Sequence, residues 1–228
     1  MIFRIDLKIF IFLIILYFTR QIEIYWLIML FAFLHEFGHL MAGIILKMKV
    51  QKISIMPTGF SIEFALTDND YNKKILNSNI LEIKKIIIAF AGPLVNLIIM
   101  SVFIILHKNE DIAYNIIYSN FLIAIFNLLP IYPLDGGRIL KSIICLNKKR
   151  KCAILYTNKI SNMTLFFISF LFSILIYYYK NWAIIVILMY LWYIVLKENR
   201  ICRMKLKLYE NLEKLQGNLI ILQKYYKK

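Results

Sequence analysis

Apolar residues in this chain gather into six long runs separated by shorter polar stretches. The runs cover about residues 5–19, 24–46, 86–106, 112–129, 165–179 and 182–196. A helix needs about 20 mostly apolar residues to cross a hydrocarbon layer of about 30 Å, and several of these runs approach that length. The first ends at Thr19-Arg20-Gln21 and has no small-residue cleavage site, so it is expected to be a span and not a signal peptide. Pro130 closes the fourth. Between the second and third runs the pattern changes: Lys52-Ile-Ser-Ile-Met56 and Phe60-Ser-Ile-Glu-Phe64 alternate apolar and polar around Pro57-Thr58-Gly59. That period of two predicts a hairpin. After residue 196, Leu206, Leu208, Leu212, Leu215, Leu219, Leu222 and Tyr225 can share one helical stripe. Such a helix suits the inner membrane surface, or a contact between copies of the chain. The expected architecture is an all-α polytopic membrane protein with about six transmembrane helices and a small membrane-associated β-hairpin. Residues 1–196 form the six-span domain, and 197–228 a basic amphipathic cytoplasmic tail.

Composition agrees with this division. Hydrophobic residues make up 61% and charged residues 18% of the 228. Both values depart from those of soluble domains in the direction of membrane proteins, and the first excludes a disordered chain. Three scattered cysteines offer no disulfide framework. The net charge is +15. With six spans, all but three of the 28 Lys and Arg residues fall on one side; the exceptions are Arg20, Lys108 and Lys180. Basic loops stay in the cytoplasm, so the reading is a multi-pass protein of the cell membrane with both termini cytoplasmic. Topology and attraction to the anionic lipid of the bilayer explain the charge, and no nucleic acid is implied. Tyr25, Trp26, Tyr177, Tyr178, Tyr179, Trp182, Trp192 and Tyr193 suit the aromatic belts at the interfaces.

The second run carries His35-Glu36-Phe37-Gly38-His39. Residues i and i+4 share a helical face, so His35 and His39 can hold one metal ion, and Glu36 can reach a water beside it as general base. Ionisable groups inside a membrane are costly and mark function. His39 lies eight residues before Lys47, so the ion would sit about 12 Å below that end of the span. A catalytic zinc takes three protein ligands and keeps one position open. The best third ligand is Asp135, in Asn127-Leu-Leu-Pro-Ile-Tyr-Pro-Leu-Asp135-Gly-Gly-Arg138, on the same side as the histidines. It is expected in a loop, with Gly136-Gly137 permitting a tight path; a turn residue is the simpler alternative.

HEFGH in an apolar helix, Ala91-Gly92-Pro93-Leu94-Val95-Asn96 in the next, and NLLPxxPLDGGR after the fourth together resemble the site-2 protease family of intramembrane zinc metalloproteases, peptidase family M50. The resemblance implies one Zn²⁺ per chain held by His35, His39 and Asp135, with Glu36 catalytic and Asn127 bonding near the scissile peptide or its oxyanion. Asn127 can also serve as a helix-end cap, and Asn96 can either join helices or touch substrate. The family has membrane-associated β-structure where the hairpin is expected. The hairpin edge could therefore hold an extended substrate as an added strand, or simply cover the bundle. Six spans with an inward site look like the stage IV sporulation protein FB type. That likeness implies regulated intramembrane proteolysis of a membrane-associated protein, a pro-sigma factor, under inhibitory membrane partners. The expected tail leaves no room for the nucleotide-sensing CBS domain that many such members carry, and no PDZ insertion is present. The reading is thus an intramembrane zinc endopeptidase. The rival is a non-catalytic metal-binding transporter or scaffold, which would need more ligands along a path through the bundle.

Overall fold

The computed structural model describes residues 2–5, 22–56, 59–65, 75–106, 111–179 and 182–225. Six helices are found there: α1 (Ile22–Ile45), α2 (Ile75–Leu106), α3 (Asp111–Leu128), α4 (Asp135–Asn147), α5 (Arg150–Tyr179) and α6 (Trp182–Tyr225). Five of the six expected spans fall on α1, α2, α3, α5 and α6. The first, at about 5–19, lies outside the described residues but for Ile5. Trp26–Ile45, Asn79–Leu106 and Arg150–Tyr178 are long and apolar enough to cross a membrane, and Ala113–Leu128 is a shorter apolar helix.

The helices are built inside out relative to those of a soluble protein. On α1 the buried positions are Phe31, His35, Gly38, His39 and Gly43, while Phe33, Phe37, Met41 and Ile44 are exposed. Small and polar residues face the neighbours, and large apolar ones face outward. On α5, Phe166, Phe167, Phe170 and Ile174 likewise point away from the protein. Apolar surface on this scale, on helices long enough to cross a bilayer, suits contact with lipid. Where helices meet, glycine lets them approach: a Cβ at Gly38 would lie 2.9 Å from the Ala91 carbonyl oxygen on α2. Pro93, inside α2, is buried, as proline in a membrane helix tolerates when neighbours cover the bend.

The expected hairpin is present, with a third strand. β1 (Ile2–Ile5) runs parallel to β2 (Lys49–Met56), and β2 pairs antiparallel with β3 (Gly59–Ala65), so the order is β1-β2-β3. The register joins Ile53 to Ile62 and Met56 to Gly59, with an irregularity between Val50 and Lys52. The ring of Phe64 of β3 packs directly on Gly43 of α1, in the space a Cβ would take, and so seats the sheet on the end of that helix.

Three elements differ from the sequence expectation. Asp135 is not in a loop: it opens α4, a short helix that hydropathy does not reveal because it is amphipathic and begins two residues after Pro133. Gly136 and Gly137 serve packing and not chain reversal, since a Cβ on either would strike the backbone of residues 128–132. α5 begins at Arg150, well before the expected apolar run, and α6 continues unbroken from the last span through residue 225. Both extensions are polar helix that a search for apolar runs passes over.

α4 joins two groups of helices. It packs on α2 and α3 on one side and on α5 on the other, while α5 and α6 pack on each other. The segment entering α4 is tied to α5–α6. Ile131 is fully buried against Leu165, Ile168, Leu191 and Val195, and Ser161 Oγ accepts from the Tyr132 N–H at 3.0 Å while donating to the Thr157 carbonyl at 2.8 Å. The Tyr132–Pro133 peptide is cis.

Candidate metal centre

Three ligating atoms converge between α1 and α4. His35 Nε2 lies 3.0 Å from Asp135 Oδ2, His39 Nε2 lies 3.1 Å from the same oxygen, and the two Nε2 atoms are 3.2 Å apart. All three residues are buried, with 3–4% of their surface exposed. Among the described residues they are the one group of three or more His, Cys, Asp or Glu close enough to share a cation.

The hydrogen bonds behind the rings fix which nitrogen carries a proton. The Ile116 carbonyl can only accept, so Asn120 must present its Nδ2 to it, at 2.8 Å. Asn120 then turns its Oδ1 to Asn96 Nδ2, at 2.9 Å. Asn96 in turn offers Oδ1 to His35 Nδ1, at 2.6 Å. The His35 proton therefore sits on Nδ1, and Nε2 holds a lone pair. His39 reaches the same state more directly, its Nδ1–H donating to the Ile88 carbonyl of α2 at 2.6 Å. Two imidazole lone pairs and a carboxylate oxygen thus face one another in a buried site, which is repulsive unless a cation lies between them. Four tetrahedral bonds of about 2.0–2.1 Å place ligand atoms about 3.3 Å apart, close to the spacing seen. The donor set and its geometry fit Zn²⁺.

Gly92 explains why the second helix carries Ala-Gly-Pro. A Cβ there would fall on the His39 ring and lie 2.8 Å from His35 Nε2. The missing side chain is the space the two imidazoles occupy, and the carbonyl of Ile88, one turn earlier, supplies the hydrogen bond to His39. Asn96, one turn later, supplies the bond to His35. One face of α2 thus positions both histidines.

Glu36 is not a member of the ligand group. It lies with His39 on the wall of a cavity of about 600 Å³ bounded by α1, α2, α4, α5, α6 and the sheet. Arg138, one turn into α4, stands 3.6 Å from Asp135 Oδ1 and lines the same space. Asn127, near the end of α3, is elsewhere: its Nδ2 donates to the Ile123 carbonyl of its own helix at 3.0 Å. It is not among the residues lining the cavity. The structure therefore unites His35, His39, Asp135 and Glu36 and leaves Asn127 outside the cavity wall. Asn96 joins helices, as one of its two readings had it. Asn120 escaped the sequence reading, although an Asn in an apolar run is the same signal that singled out Asn96.

Comparison with known proteins follows the same residues. The model of peptidase family M50 matches residues 24–110 and 107–172, which include all four. A zinc metalloprotease of Methanocaldococcus jannaschii is 36% identical over 118 residues, 49% of this chain. The matched part spans 31% of that relative's length. The solved structure of the site-2 protease from the same organism superimposes with a TM-score of 0.61 at 20% identity, covering 86% of this chain and 89% of that one. That likeness establishes a common fold.

Proposed function

The chain belongs to peptidase family M50, and from that premise we propose that it is an intramembrane zinc endopeptidase that cuts a membrane-associated protein. The observation that carries this reading is the convergence of two Nε2 lone pairs and the Asp135 carboxylate beside the Glu36-lined cavity. Zinc, when held there, supplies the Lewis acidity that lowers the pKa of a water and polarises the amide carbonyl. The chain's own residues do the rest. Glu36 takes the proton from the attacking water and returns it to the leaving nitrogen. Asn96 and Asn120 hold His35 in place by a relay of hydrogen bonds, and the Ile88 carbonyl holds His39. The lipid-facing surfaces of α1 and α2 keep bulk water away. Asn127, bonded to Ile123 outside the cavity wall, would have to turn toward the substrate to meet the developing negative charge, offering the amide hydrogen that Ile123 does not take.

An extended peptide is needed, because a helical substrate hides its scissile amide. β2 is paired on both sides, so a substrate strand must add to an outer strand, and β3, whose Phe64 lines the cavity, is the nearer candidate. The specific substrate expectation is a pro-sigma factor under the control of inhibitory membrane partners; it rests on the likeness of the expected six-span, inward-facing plan to the stage IV sporulation protein FB type. Both termini are assigned to the cytoplasm on the distribution of Lys and Arg. Outside-added thiol reagent should label a cysteine placed beside Lys108 and spare one beside Lys149; the reverse pattern would invert the orientation.

The deciding experiment uses Glu36→Gln. The purified variant should keep zinc by metal analysis and lose at least about 100-fold in cleavage of a transmembrane reporter, the usual weight of a general base. Near-normal cleavage removes Glu36 from the chemistry. Asn127→Leu, in the same assay, should keep zinc and slow the reaction; an unchanged rate returns Asn127 to the role of a helix-end bond.

A further inference from the structure

The cavity that ends at Glu36 and His39 is strongly cationic. Lys85 of α2, Arg138 and Lys141 of α4, Arg150 of α5 and Lys205 of α6 line it, against the two carboxylates of Glu36 and Glu82. Glu82 is spent on Lys85, at 2.7 Å, and Arg138 leans on Asp135. Lys141 lies over the Tyr132 ring, 4.7 Å from its centroid, which leaves its charge in place. Among the described residues the side chains of Arg150 and Lys205 have neither a hydrogen bond nor an ion pair. Arg150 is also the first residue of α5, where the exposed backbone N–H groups already favour an anion and a cation costs stability. Cations that only set topology can stand anywhere on the basic side; these come from four helices to one space.

We propose that this cavity selects substrates by charge. A peptide bearing carboxylates on the stretch between its scissile bond and the basic side of the membrane is bound and cut in preference to a neutral or basic one. The inference rests on the proteolytic reading above and names its substrate class. A peptide is favoured over a lipid headgroup because the cationic space continues to the catalytic Glu36 and is walled by Gln51 and Phe64 of the sheet, the path an extended chain must take. Arg150 and Lys205 are exposed, as are Lys148 and Lys149, so lipid phosphate is the rival ligand that the vesicle composition must separate from the peptide.

The test uses the full chain with zinc, in phosphatidylcholine vesicles, and three transmembrane reporters that differ only in a juxtamembrane triplet: Asp-Asp-Glu, Asn-Asn-Gln or Lys-Lys-Lys. Two exposed charge pairs support a preference of about tenfold in kcat/KM for the acidic over the neutral reporter, weakening at high salt. Arg150→Glu combined with Lys205→Glu should erase that ratio and bring the Lys reporter to the front. Arg150→Lys with Lys205→Arg should preserve it. A second arm measures binding without cleavage, by fluorescence anisotropy of labelled Asp-Asp-Glu and Asn-Asn-Gln peptides on the Glu36→Gln protein. If no reporter is cut but the acidic peptide binds about tenfold more tightly, the proteolytic reading fails and charge selection stands. Equal cleavage and equal binding of the acidic and neutral forms overturn charge selection. So does a preference that appears only when phosphatidylglycerol is added and does not follow the peptide triplet, which would assign the cations to lipid.

Discussion

The two sides of the metal centre are made in different ways. His35 and His39 come from one helix, and their separation follows from helical geometry alone. Asp135 arrives on α4, the helix that bridges the two groups. Its place depends on the buried Ile131, on Ser161 holding the Tyr132 N–H, on Gly136, which lets α4 touch the end of α3, and on Gly137, which lets it lie against Ile131 and Tyr132. The histidine side is set by local structure and trimmed by α2; the carboxylate side is set by tertiary packing. A ligand set split in this way is robust where the helix holds it and vulnerable where the packing does.

Asp135→Ala breaks the contrast most severely. Two imidazoles alone leave a divalent cation short of a negative charge in a low-dielectric site. Zinc occupancy and cleavage should therefore fall together, unlike in Glu36→Gln, and Asp135→Asn should behave like Asp135→Ala. Full zinc content with lost activity would make Asp135 a substrate-contacting residue and not a ligand.

Next come the glycines that serve the two sides. Gly136→Ala pushes a methyl into the Leu128 and Leu129 carbonyls, which are backbone and cannot rotate away. It should lower thermal stability by about 1–3 kcal/mol or more and reduce zinc content by displacing Asp135. Gly92→Ala instead meets the imidazoles themselves. Side chains yield more readily than backbone, so the fold should survive better while zinc binding suffers as much. Melting curves paired with metal analysis separate the two outcomes; equal loss of stability in both variants would erase the distinction.

The smallest effect belongs to Asn96→Leu. Removing the acceptor from His35 frees the ring and its tautomer, and partners of this kind contribute about 10–100-fold in metal affinity. Zinc titration should show that loss, and cleavage should return when zinc is raised. Unaltered affinity would reduce the relay through Asn120 to a helix contact.

The same contrast explains what the sequence made legible. His35, Glu36 and His39 stand out because spacing along one helix is written in the chain. Asp135 was found as a carboxylate on the correct side, but the helix it opens was not: α4 is too short and too amphipathic to register as a hydrophobic run. β1 is merged in sequence with the start of the first apolar stretch, and its pairing with β2 is a long-range event that alternation cannot reveal. The polar starts of α5 and the far half of α6 are helical without being apolar. Gly92 was noted as part of a motif, yet only three dimensions show that it is the room for two imidazoles.

One consequence concerns how the molecule stays closed. α1, α2 and α3 form one group, α5 and α6 another, and α4 is the main bridge, supplemented by contacts such as Phe126 with Phe172. A cation held by α1 and the first residue of α4 is therefore a staple across that bridge. A cation that binds only when α1 and α4 are together then favours their contact: at a free zinc concentration 100 times Kd, the gain is about 2.7 kcal/mol. Chelation should accordingly speed hydrogen exchange along α4 more than along α1, whose amides are secured by its own helix and by α2.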